Sequence, residues 1–95
     1  MFKVPRVNVI ESDDGFSVEV LGRTGLLYAE GSNKIHIDSE ILASTSPTEL
    51  VLWVDSIRAW DSPHDGEEID ETKRKVIIEN IRSAFRFQGF EIEVA

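Results

Sequence analysis

His36 and His64 are the only imidazoles in the chain, and with no cysteine present they exhaust the neutral metal ligands. Neither stands in an H-x-x-x-H or H-E-x-x-H spacing, the arrangement that turns ring nitrogens toward one zinc ion. His36 alternates onto the polar side of an extended run, and His64 lies between Pro63 and Asp65 in an acidic stretch. Both are expected to be ordinary solvated histidines. Paired carboxylates perform acid and base chemistry where a pocket drives their pKa values apart. The eighteen Asp and Glu here fall mostly in loops or on the polar sides of strands, where water keeps them ionised and equivalent. Asp61 to Asp70 lacks the D-x-[DN]-x-[DN]-G frame that arranges oxygens around calcium. Ser39, Ser44, Ser46 and Ser56 lack a G-x-S-x-G elbow, and no G-x-x-x-x-G-K-[ST] phosphate loop occurs. The residues point to no enzyme, and no catalytic group, metal or cofactor is expected.

What remains is recognition chemistry. Trp is enriched both in cores and at binding hot spots. Trp53 lies inside an apolar run and is expected in the core. Trp60 closes a run and opens an acidic segment, so core or rim packing and partner contact both stand for it. From Asp61 to Glu71 the chain holds Asp61, Asp65, Glu67, Glu68, Asp70 and Glu71 without a Lys or Arg. Such a segment is a solvated loop or a surface for a basic partner. Gly22-Arg23-Thr24-Gly25 looks superficially like the G-x-x-G loop that clamps a nucleic-acid backbone, but that loop needs helical flanks and a basic setting. Here the flanks read as strands, which makes it a turn or bulge exposing Arg23.

These residues ride on a small scaffold. Ninety-five residues form one domain, 1–95, because chains divide into separate cores only well beyond this length, at roughly 250 residues. A 41% hydrophobic, 29% charged composition supplies one core. The net charge of −8 repels phosphate, so direct nucleic-acid binding is disfavoured. Neither chain end carries a signal-peptide core or membrane-spanning run, which makes the cytoplasm the expected compartment.

Short alternating runs broken by turn residues fill the first half, the pattern of an antiparallel sheet. A run from Val7 and Val9 ends at Ser12-Asp13-Asp14-Gly15, and Phe16, Val18 and Val20 share the core side of the next strand. Leu26 to Glu30 and Ile35 to Asp38 follow, separated by a turn at Gly31 to Lys34. Ser39 to Thr48 is ambiguous. Leu50 to Val54 reads as a strand covered on both faces, continued by Ser56 to Trp60 with Ile57 inward. Glu71 to Gln88 carries the helical signal: Ile77, Ile78, Ile81, Ala84 and Phe85 form one stripe, with Asp70 as N-cap and Gly89 at C′. Phe90, Ile92 and Val94 then alternate as a last strand. The fold class is therefore α+β, a meander of about five to six antiparallel strands with one long amphipathic helix on one face and a final C-terminal strand.

Taken together, Gly22-Arg23-Thr24-Gly25-Leu26-Leu27-Tyr28, Ile37-Asp38-Ser39-Glu40-Ile41-Leu42, Ser56-Ile57-Arg58-Ala59-Trp60 with Pro63, and the helix built on Ile77, Ile78, Asn80 and Ile81 resemble the family called immunity protein 74. The likeness runs from about Val18 to Val94. It implies an antidote of a bacterial polymorphic toxin system, one that binds a cognate protein toxin and carries no catalytic residues. A nuclease toxin would offer a basic surface for an acidic antidote to occupy as a phosphate-like decoy. The expected contacts are Trp60, Asp61, Asp65, Glu67 and Glu68, with Arg23 and Tyr28 beside the glycine turn. The rival expectation is a structural or regulatory domain that homodimerises through an open sheet edge, at Val7 or at Phe90 to Val94. A small hydrolase using carboxylates is a third class, and it would show a strongly raised carboxyl pKa in a cleft.

Overall fold

The computed structural model describes residues 2–22, 25–41, 50–64 and 66–95. Seven strands form one sheet in chain order: β1 (Phe2–Arg6), β2 (Val9–Ser12), β3 (Phe16–Gly22), β4 (Gly25–Glu30), β5 (Asn33–Ile41), β6 (Leu50–Leu52) and β7 (Ile92–Val94). Neighbours pair antiparallel from β1 to β6, and β7 lies parallel to β6 after the single described helix, α1 (Glu71–Phe87). The α+β architecture is as expected, with seven strands in place of five to six. The additional strand is β1, whose Lys3, Pro5 and Arg6 leave it without a hydrophobic alternation to read. Asn8, in the left-handed region at φ 67°, turns β1 into β2, so Val7 sits in a turn and is 83% exposed instead of forming a strand edge.

Register follows from the period-2 pattern. Ile10, Val18, Tyr28 and Ile35 align across β2 to β5, and Leu26 aligns with Ile37. All are buried, together with Phe16, Leu50 and Leu52, on the face that receives the helix. Gly15, at φ 94°, closes the β2–β3 turn by donating its N–H to the Ser12 carbonyl, a geometry that suits a residue without Cβ.

Helix α1 begins where the sequence places it. The Asp70 carboxylate accepts the Lys73 N–H at 2.7 Å, and Gly89 at φ 86° ends the helix at C′. Ile77, Ile81, Ala84 and Phe85 are buried against the sheet. Asp70→Ala should cost about 1 kcal/mol, read as a shifted urea midpoint with unchanged slope.

Two expectations for the middle of the chain are corrected. Leu50, Val51 and Leu52 are buried as a central strand should be, but β6 stops there and a 3-10 turn at Val54–Ser56 replaces the expected extension. The cause is the loss of one partner: beyond Leu52 the chain keeps β5 on one side but loses β7, which ends at Val94, and it runs on along the edge of β5. Trp53 N donates to the Asp38 carbonyl, Asp38 N to Ser56 Oγ, and Asp61 N to the Lys34 carbonyl. The edge that β6 leaves open is thereby covered. The ambiguous stretch resolves in part, since β5 takes up Ser39 to Ile41; residues 42–49, with Ser44 and Ser46, lie outside the described residues.

Candidate functional site

The same end of β6 exchanges the roles of the two tryptophans. Trp60 is 6% exposed and its ring stacks on Tyr28, with centroids 6.4 Å apart. The wrapping segment carries Ile57 and Trp60 inward, where with Ile69 they join the core that α1 covers. Trp60 is thus a core residue, the packing alternative, and the expected partner contact at Trp60 is corrected. Tyr28 is likewise fully buried, because it belongs to the inward-facing parity of β4. Trp53, expected inside, is 42% exposed. It follows Leu52, so one step along the backbone turns it to the face away from α1, beside Asp38.

A shallow groove of about 410 Å³ runs along this uncovered face, lined by His36, Asp38, Trp53, Asp55, Ser56 and Arg58. Its frame is rigid at the backbone. Ser56 Oγ donates to the Trp53 carbonyl at 2.6 Å while accepting from Asp38 N at 3.0 Å, and Arg58 Nε donates to the Asp55 carbonyl at 2.8 Å. His36 Nδ1 contacts the Asp61 carboxylate. Among the described residues the carboxylates of Asp38, Asp55 and Glu68 have no ion pair, and no cation stands over the Trp53 ring.

The acidic segment is a fastened loop. His64 N donates to the Asp61 carbonyl and Glu67 N to the His64 carbonyl, and an Ala59–Glu68 bridge closes the base. The His64 ring lies 3.3 Å from the Glu67 carboxylate and 3.5 Å from Ser32 Oγ, which ties the loop to the β4–β5 turn. Asp61, Glu67 and Glu68 therefore share the margin of β5 with the groove. Asp65 and Arg23 lie outside the described residues.

Under the sheet, Tyr28 donates to Glu30 at 2.7 Å, Asn80 Nδ2 donates to the Tyr28 oxygen at 2.9 Å, and Lys73 Nζ reaches Glu30 at 2.5 Å. Burial holds the Tyr28 phenol well above its ordinary pKa of about 10; the Asn80 hydrogen bond opposes this, and Glu30 adds to it. A phenol whose pKa is raised by folding stabilises the fold fully below about pH 10 and progressively less above it, where the unfolded chain loses the proton first. Tyr28 is the only tyrosine, so tyrosinate absorbance should stay absent past pH 10 and appear only as the chain unfolds. A Tyr28→Phe variant should lose this extra alkaline sensitivity of its Tm. This network joins β4 to α1 and is structural. Among the described residues no group of His, Asp or Glu side chains could hold a metal ion, and no helix of the described residues is long and apolar enough to cross a membrane.

The family described as Immunity protein 74 matches residues 17–95, from the second residue of β3 to the C-terminal residue. The chain belongs to this family. Searches of curated proteins and of solved structures gave no match. Membership in an immunity-protein family implies a cognate toxin as partner. For this immunity protein 74 member, the matched span contains the groove, the acidic loop and the helix, and leaves β1 and β2 outside.

Proposed function

We propose that the protein neutralises its cognate toxin by surface complementarity, with Asp38, Asp55, Asp61, Glu67 and Glu68 as the charged contact zone and Trp53 as its apolar anchor. The observation that carries this reading is the exposed Trp53 ring set among carboxylates on a backbone fastened to β5. Binding hot spots favour Trp, and surrounding charge speeds encounter with an oppositely charged target. A net charge of −8 fits a toxin with a basic contact surface, as the substrate-binding face of a nuclease would be, and action without chemistry in the cytoplasm where that toxin would strike. The association rate with the toxin encoded beside the gene should fall about tenfold or more between about 50 mM and about 500 mM salt. A rate independent of salt would remove the electrostatic part.

The rival reading, homodimerisation through a sheet edge, has less to support it. The β1 edge carries Pro5, Lys3 and Arg6, side chains that blunt strand addition, and β7 offers three residues. Sedimentation at two concentrations separates the readings, since a concentration-dependent dimer would favour the rival.

A further inference from the structure

The groove beside Trp53 has a more specific chemistry than general acidity. Its Trp53 ring is 42% exposed at the end of a buried strand, held by the Asp38 carbonyl through its own N–H and by Ser56 Oγ through its carbonyl. Asp38 adjoins it by strand register, and Asp55 follows two residues on. Both carboxylates lack an ion pair among the described residues. Arg58 also lines the groove, where its Nε is bonded to the Asp55 carbonyl and not to a carboxylate. An indole face draws cations electrostatically, and the planar guanidinium of arginine both stacks on it and offers paired N–H donors to a carboxylate. Lysine, a hydrated point charge, is drawn to the ring but neither stacks on it nor offers a planar pair of donors.

We infer that this groove is an arginine receptor: an arginine of the partner protein stacks its guanidinium on Trp53 and donates to Asp38 or Asp55. The inference deepens the toxin-binding reading and, for its biological role, rests on it. The groove is open and about 410 Å³, suited to a single long side chain with its flanking backbone. The other acids of the β5 margin then steer the approach and do not fix the geometry.

The test is a titration of the ¹⁵N-labelled full chain with hexa-arginine, hexa-lysine and hexa-glutamate peptides, following the Trp53 indole N–H. The expected result is a saturable shift with hexa-arginine, at least about threefold weaker binding of hexa-lysine, none with hexa-glutamate, and about tenfold loss in the Asp38→Asn, Asp55→Asn double variant. An unmoved Trp53 signal with hexa-arginine, or equal affinity for hexa-lysine, would overturn the assignment. In parallel, Trp53→Ala, checked for an unchanged fold by its far-UV circular dichroism, should raise the Kd for the cognate toxin about 30-fold or more. If the toxin binds wild type and Trp53→Ala equally, the arginine site falls while toxin neutralisation stands. If the toxin does not bind wild type, toxin neutralisation falls, and the peptide titration still decides the groove.

Discussion

Ile81→Asp should leave the chain unfolded at room temperature. Ile81 is fully buried in the middle of the α1 stripe, with the core of the sheet beneath it. Substitution removes one of the largest buried side chains and adds a carboxylate for which that environment holds no cation. Loss of the aliphatic group alone costs about 2–5 kcal/mol, and an uncompensated buried charge adds several more. Domains of this size are stable by roughly 5–15 kcal/mol, so the sum consumes all or most of the margin. Far-UV circular dichroism and a thermal scan read the outcome, and a variant melting within a degree or two of wild type would contradict the packing of α1 on the sheet.

The second large effect separates the tryptophans. Trp60→Ala should cost about 3–5 kcal/mol, because it empties the space between Tyr28 and the wrapping segment. In a domain of this length each kcal/mol lowers Tm by about 4–8 °C, so the drop should exceed about 10 °C. Trp53→Ala, at a half-exposed site, should cost less, about 1–2 kcal/mol. The two variants should therefore divide cleanly, one losing stability and the other losing partner binding. Equal melting of the two would mean that the burial assigned to Trp60 is wrong.

That exchange also marks what could be read in the sequence. Wherever one periodicity governs, residues announce their place: Phe16 and Val18 face inward by alternation, and Asp70, the Ile77–Phe85 stripe and Gly89 outline the helix from cap to stop. Trp53 and Trp60 fall beyond Leu52, where β6 loses its pairing with β7. An apolar run of five residues does not reveal that only its first three pair on both sides, since the turn at Val54–Ser56 is fixed by bonds to β5, some fifteen residues earlier in the chain. The candidate site was legible in kind, as an acidic surface of Asp61, Glu67 and Glu68. Its anchor was not, because exposure of Trp53 depends on tertiary pairing. Asp38 reads as an ordinary polar strand residue, and no pattern singles out Asp55, until the wrapping segment sets both beside that ring. Strand β1 was missed for the opposite reason: its side chains are nearly all exposed, so hydrophobic pattern carries no trace of it.

Neutralisation of a toxin by this acidic, Trp53-anchored surface is tested most directly by growth. Cells expressing the cognate toxin should survive when they also express the wild-type chain and should die when they express a Trp53→Ala, Asp38→Asn, Asp55→Asn variant that still folds. Full protection by the folded triple variant, or no protection by wild type, would contradict it.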